Sequence, residues 1–292
     1  MSLIRCCLIQ FLTLDRVNGY YQMTSYEHVH LYSTDVLSLD LIRILAPRFK
    51  VVALVVPANR MGTKKVADLI AISNLPVVIH EQNSLCSSIS SVPKASHLIS
   101  FAYSQIINAS LLSCYSGGGL NFHGGRIPEY RGANVLNWAL AAGERTLWAT
   151  WHKLETAIDS GVIYGEAQFA LEVFDTAETC RVKLSKLALS IFPESWNRFV
   201  GKKEPLRIPN LNEGRVWPQR RKSDSRVEEN RPREHVEAMV LAQSSDRFPP
   251  AYYEFQNNRY AVLSVEDNQK GEYIPYQTDD GETLWLRVKQ IL

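Results

Sequence analysis

A chain of 292 residues with 46% hydrophobic and 21% charged residues has the composition of a folded protein, with room for a main domain and a smaller appendage. Its formal net charge of +2 is too small to imply a nucleic-acid or anionic-membrane partner, which calls for a clustered basic face. The five cysteines (Cys6, Cys7, Cys86, Cys114 and Cys180) contain no Cys-x-x-Cys pair, so no zinc site or other metal centre is expected, and the odd count points to a reduced, cytoplasmic location.

The first 22 residues carry an apolar run interrupted by Arg5 and Gln10. The run is too short to span a bilayer and has no small-x-small cleavage pattern nearby. It reads as a leader upstream of a natural start at Met23, with an N-terminal helix packed on the main domain as the alternative. A strand is predicted over 28–32, then a helix over 35–45 opened by Ser33-Thr-Asp35. The continuous apolar run 51–56 is the pattern of a strand buried on both faces, and 64–73 follows as a helix. Strands over 76–79 and 97–102, a helix over 106–112 and a strand over 119–123 complete an alternation that predicts an α/β, Rossmann-like, mostly parallel sheet with helices on both faces.

Beyond a turn-prone loop with Pro128 and Gly132, helix 133–142, strands 147–154 and 166–170 and a long helix 176–200 end the main domain. Residues 201–233 read as a linker with short extended pieces. The tail then offers a helix over 234–243 and β segments at 251–255, 260–265 and 284–292. The expected organisation is a main domain over 23–205 and a small, mostly β C-terminal domain over 206–292.

Asn121 and His123 stand two apart at a strand tip, so their side chains share one face. Asp159 follows a later strand. Open α/β sheets bind ligands beyond the carboxyl ends of their strands, where an amide, an imidazole and a carboxylate can orient a carbonyl, stabilise charge on its oxygen and move a proton. Glycines 124 and 125 beside His123 allow close approach by a ligand. His28, His30, His80, His97 and His235 read as structural or surface groups. The run Gly117-Gly-Gly119 precedes a strand and reads as a tight turn. No Gly-x-Gly-x-x-Gly, Walker A or Gly-x-Ser-x-Gly pattern occurs.

Asn121-Phe-His123, the loop Arg126-Ile-Pro-Glu-Tyr-Arg-Gly132, the helix opening Ala133-Asn-Val-Leu-Asn-Trp138-Ala-Leu, and Ile158-Asp159-Ser-Gly161 resemble the formyltransferases that use 10-formyltetrahydrofolate. Ser100-Phe-Ala-Tyr103-Ser-Gln-Ile-Ile107 is similar to that family's strand-to-helix turn, and His152 matches a histidine found in part of it. Arg220-Arg-Lys-Ser-Asp-Ser-Arg226 and Arg247-Phe-Pro-Pro-Ala-Tyr-Tyr253 resemble the C-terminal domain of methionyl-tRNA and sugar formyltransferases. Departures stand at Ser33 and Ser104, where the family often has Gly, and at Gly125-Arg-Ile127.

The resemblance implies an enzyme with 10-formyltetrahydrofolate as formyl donor, Asn121 and His123 as donors to the developing oxyanion, and Asp159 as the group that raises the basicity of His123 and accepts the amine proton. It implies folate contacts from Tyr103, Gln105, Ile107, Glu155 and Ile158, and acceptor contacts from Ser33, Thr34 and Arg131. Methionyl-tRNA formyltransferases have a longer Gly- and Lys-rich loop than residues 59–65 supply. Residues 206–292 hold 13 Lys and Arg against 14 Asp and Glu, the wrong balance for phosphate backbones. The expected acceptor is therefore the amine of a nucleotide-linked amino sugar or another small amine such as hydroxyornithine, with tRNA disfavoured. A folate-binding module and a formyltetrahydrofolate hydrolase are the readings of other classes. The apolar tail segments offer a homodimer interface.

Overall fold

From Glu27 to Ser73 strands and helices alternate as the apolar pattern requires. In a computed structural model of the protein, the described residues are 13–17, 20–24, 26–46, 48–81, 86–245, 249–267 and 272–291. Cys6, Cys7 and most of the apolar run read as a leader lie outside them, as do Arg247 and Phe248 of the tail motif. The chain divides into two compact units, one ending at Gly119 and one beginning at Leu120.

The first unit opens with an antiparallel hairpin of β1 (Thr13–Val17) and β2 (Tyr20–Thr24), so these residues do not form the helix weighed for them. It continues with β3 (Glu27–Ser33), α1 (Asp40–Leu45), β4 (Phe49–Pro57), α2 (Lys64–Ser73), β5 (Val77–His80), β6 (His97–Phe101) and α3 (Ala109–Leu112). β3 lies between β6 and β4, and β4 pairs with β5, all parallel. Ala53, Leu54, Val55 and Val56 of β4 are fully buried, which is why this strand reads as an unbroken apolar run and not as an alternation. The helix expected over 106–112 is a single turn, started by the Asn108 side chain accepting from Leu111 N at 2.8 Å.

β7 (Gly118–His123) runs into the second unit, where β8 (Tyr130–Gly132), α4 (Val135–Ala141), β9 (Thr146–Lys153), β10 (Ile163–Ala170) and α5 (Ala177–Val200) follow. β9 pairs antiparallel with both β7 and β10. The nine residues between β9 and β10 are too few for a parallel crossover, so the sheet is mixed. α5 is opened by a Thr176–Thr179 capping box and buries Leu184, Ala188, Phe192, Trp196 and Phe199. Phe192 packs 5.0 Å from the Trp151 ring, and Trp151 Nε1 donates to Ala188 O at 2.8 Å.

The tail comprises β11 (Arg215–Trp217), α6 (Arg233–Ala242), β12 (Tyr252–Phe255), β13 (Asn258–Glu266), β14 (Tyr273–Gln277) and β15 (Thr283–Gln290). The last four make an antiparallel sheet ordered β12-β13-β15-β14, whose Val262, Tyr276, Leu284 and Leu286 form a core with Val236 and Met239 of α6. β14 escaped sequence reading because Pro275 argues against a strand; here it occupies a sheet edge, where a missing N–H is tolerated. β11 pairs parallel with β8, a three-residue ladder that no periodicity betrays.

Among the described residues no helix is long and apolar enough to cross a membrane, and no cluster of three or more His, Cys, Asp or Glu side chains is arranged to hold a metal ion. Cys180 is a buried free thiol, but Cys114 is disulfide-bonded, which corrects the expectation of reduced cysteines throughout.

Candidate active site

Period-two alternation sorts the site. Phe122 of β7 and Trp151 of β9 contact each other, ring centroids 5.7 Å apart, on the face covered by α5. Their neighbours Asn121, His123 and His152 fall on the opposite face, and register sets Asn121 directly across from His152. The Asn121 side-chain nitrogen lies 2.9 Å from His152 Nε2, and the His123 and His152 rings meet edge-on at 6.1 Å.

Asp159 joins them by an indirect route. β9 is antiparallel to β7, so its end at Lys153 lies beside Leu120, and Asp159 does not reach the site from the carboxyl edge of a parallel strand as expected. The connection folds back over the sheet instead. Asp159 takes a left-handed conformation (φ 43°), which Asp tolerates better than most residues. Its Oδ2 lies 3.4 Å from His123 Nδ1, and its Oδ1 3.3 Å from His152 Nε2. Gly132 N donates to Oδ2 at 2.8 Å. Burial alone would push this carboxyl up, but the charge of His123, the hydrogen bond and charge of His152 and the Gly132 N–H outweigh it and hold Asp159 well below the ordinary carboxylate range. It is an anion at any working pH.

The two imidazoles are held by backbone carbonyls, which only accept. His123 Nε2 is 2.5 Å from Tyr130 O and His152 Nδ1 is 2.9 Å from Lys153 O, so those nitrogens carry the hydrogens. His152 Nε2 faces both the Asn121 amide nitrogen and Asp159 Oδ1: it accepts from the amide when the ring is neutral and donates to the carboxylate when the ring is protonated. Gly132 is obligatory: its φ of +100° suits glycine, and a Cβ there would strike the Trp217 carbonyl oxygen across the β8–β11 ladder. Gly125 makes room for its own chain, since a Cβ would sit 2.8 Å from Tyr130 O; the ligand approach expected at this glycine is taken by the Tyr130 backbone.

Asn121, His123 and Asp159 are thus brought together, with His152 as a fourth member that the sequence marked only as a family match. Antiparallel pairing of β7 and β9, invisible in the pattern, is what sets it against Asn121. The expected folate residues are distributed over both units. In the first, half-buried Tyr103 turns its hydroxyl to His80 Nδ1 at 2.6 Å, Gln105 has a buried Oε1 without a partner, and Ile107 is core at 8% exposure. In the second, Glu155 is exposed and paired with Lys153 at 2.6 Å, and Ile158 is 45% exposed.

Of the expected acceptor residues, Ser33 is fully buried, donating to Asp35 O and accepting from Asp35 N, so its hydroxyl serves the turn. Thr34 donates to Ala102 O at 2.6 Å and supports the left-handed Ala102 (φ 49°). Arg131 is 9% exposed on β8.

Residues 81–195 match the family described as Formyl transferase, a segment that contains all four site residues. Among solved structures the chain is similar to HypX from Aquifex aeolicus, with 18% identity and a TM-score of 0.58 over 90% of this chain and 45% of that one. It thus spans less than half the length of HypX. It is similar to an N-formyltransferase from Helicobacter canadensis solved with folinic acid and dTDP-3-aminofucose, with 12% identity and a TM-score of 0.68 over 90% of this chain and 100% of that one. A methionyl-tRNA formyltransferase from Clostridium thermocellum shares 14% identity and a TM-score of 0.58 over 91% and 99% of the two chains. At these identities the likeness is one of fold.

Proposed function

We propose that this chain, similar over residues 81–195 to the formyl transferases, moves the formyl group of 10-formyltetrahydrofolate to the amino group of a nucleotide-linked amino sugar. The observation that carries this reading is one cluster on one sheet face: an amide, two imidazoles and an ionised carboxylate inside the matched segment.

The acceptor amine attacks the formyl carbon, forming a C–N bond while the carbonyl π pair moves to oxygen. Stabilising that oxygen is the main task. With one amide hydrogen held by His152, Asn121 presents its second to the oxyanion. His123 supplies charge beside it, braced by Asp159, and reaches the oxygen directly when Nε2 exchanges the Tyr130 carbonyl for the stronger acceptor. Asp159 binds a proton weakly, so it takes the amine proton only in passing, through water, and releases it to the folate nitrogen as the old C–N bond breaks. The products are the formamide and tetrahydrofolate.

A small acceptor suits the rest of the chain. Residues 58–60 form a single 3-10 turn and Thr63, bonded to Arg60 O at 2.8 Å, leads at once into α2. Residues 206–292 lack a basic excess, as a tRNA grip would need. The test is an assay with formyl-folate and a panel of UDP- and dTDP-linked amino sugars, methionyl-tRNA, or no amine. Transfer to an amino sugar is expected. Efficient formylation of the tRNA, or formate release without any amine, overturns the reading in favour of a tRNA enzyme or a hydrolase.

A further inference from the structure

Two of the groups that hold the catalytic cluster are backbone atoms of β8, a strand of three residues: Tyr130 O accepts from His123 Nε2 and Gly132 N donates to Asp159 Oδ2. A carbonyl and an N–H of the main chain cannot be tuned by their own side chains; they stand wherever the strand is held. Among the described residues β8 has one ladder partner, β11, with Tyr130 opposite Arg215, Arg131 opposite Val216 and Gly132 opposite Trp217. So short a two-stranded ribbon does not hold itself.

Trp217 supplies what the ladder lacks. Its Nε1 donates to Glu129 O at 2.9 Å, its carbonyl accepts from Ala133 N at 3.0 Å, and its ring stacks on Tyr130 with centroids 5.6 Å apart and planes within 8°. One residue thus grips the chain before, within and after β8. The indole is itself fixed: Trp138 of α4 packs at 5.0 Å and the Arg215 guanidinium lies over the ring, 3.4 Å from its centroid, both favourable arrangements. Upstream, Gly214 has no room for a side chain, since a Cβ would strike Pro128 O, and Arg207 donates to Ile127 O at 2.6 Å. The segment expected to be a linker therefore runs along the whole loop from Ile127 to Ala133.

We infer that Trp217 is a positioning residue for the transfer reaction: it sets the Tyr130 carbonyl and the Gly132 N–H at the spacing that His123 and Asp159 require. The inference rests on the formyl-transfer reading for the reaction served, but its first test needs no turnover. Exchange of the Gly132 amide hydrogen in the full chain is followed by NMR for the wild type, Trp217→Leu, Trp217→Phe and Leu284→Ala. It is taken as a ratio to exchange at Trp151 in β9, so that changes in global stability cancel. Leu284 is fully buried in the tail core, and its truncation supplies a loss of stability away from the ladder. The ratio should rise at least about 10-fold in Trp217→Leu, the scale of a lost hydrogen bond and ring stack. It should rise less in Trp217→Phe, whose ring still stacks, and stay unchanged in Leu284→Ala.

A second arm uses turnover with formyl-folate and the acceptor found in the panel above. In Trp217→Leu kcat should fall about 10- to 100-fold, the cost of a small misplacement in a catalytic cluster, while KM for both substrates stays within about twofold. Trp217→Phe should recover part of the rate. In an Asp159→Asn background the same change should cost less than about threefold, because a group it positions has gone. Three results overturn the inference: an unchanged exchange ratio in Trp217→Leu, an equal kcat loss in Leu284→Ala, or a loss in the Asp159→Asn background as large as in the wild type. A wild type that formylates no acceptor overturns the formyl-transfer reading instead, and the exchange ratio still decides whether Trp217 positions β8.

Discussion

The Asn121 amide and His152 Nε2 stand 2.9 Å apart across the β7–β9 pair, and this contact fixes where the remaining amide hydrogen points. Because His152 Nδ1 is committed to Lys153 O, Nε2 of the neutral ring accepts, and the Asn121 amide nitrogen faces it.

Asn121→Ala removes the proposed oxyanion donor. Turnover is expected to fall by ~10²–10³ with an unchanged circular dichroism spectrum, because Asn121 is only half-buried. Steady-state rates of formyl transfer check it; wild-type turnover would remove Asn121 from the mechanism.

His152 is expected to act through Asn121, as a positioning residue. His152→Phe leaves the amide free to rotate and should lower kcat by about 2- to 10-fold, the worth of a neutral hydrogen bond, while KM for formyl-folate stays within about twofold. His152→Gln, which keeps an acceptor, should recover part of the loss. A loss confined to KM would assign His152 to binding.

Asp159→Asn is tolerated by the backbone, since Asn also accepts the left-handed conformation. The variant should lose most activity and also acid resistance. The folded carboxyl lies below its ordinary value of 3.8, so its stabilisation is complete above that value and is lost as pH falls from there through the depressed folded value. Acid titration of unfolding should therefore show a shallower slope below pH ~4 in Asp159→Asn than in the wild type.

Stability should also fall earlier, on the acid side of neutrality. Burial lowers His30, His80 and His97 from their ordinary 6.5. For depressed imidazoles the sign is unambiguous: stability is full above 6.5 and declines as pH drops from there through the folded values, because the unfolded chain takes up protons first. Thermal midpoints between pH 7.5 and 5 should decline, and less steeply when His80, whose Nε2 is buried and unpartnered, is replaced by Phe.

Gly132→Ala combines a left-handed φ with a collision against the Trp217 carbonyl, so destabilisation should exceed ~1 kcal/mol, and the Gly132 N–H that holds Asp159 is displaced with it. Chemical denaturation together with the rate assay would show both losses; a stable, active variant would mean the ladder shifts without consequence.

Much of this protein was written in local pattern. The buried run of β4, the period of α5 and the order of Asn121, His123 and Asp159 follow from side-chain chemistry and spacing that hold whatever surrounds them. Pattern alone determined that an amide, an imidazole and a carboxylate stand beside turns in an α/β chain, and the motifs around them pointed to formyl transfer. Strand direction and long-range partners were decided only in three dimensions. A helix between β7 and β9 suggested a parallel pair, yet the strands run antiparallel, and that sense alone puts His152 opposite Asn121 and makes Asp159 fold back to reach them. The same holds for Ser33, Thr34 and Arg131: as letters they are three polar residues, but tertiary hydrogen bonds occupy the two hydroxyls, whereas Arg131 Nε has no hydrogen-bond partner among the described residues. Which groups remain free for a ligand depends on contacts between distant residues, and no local periodicity encodes them.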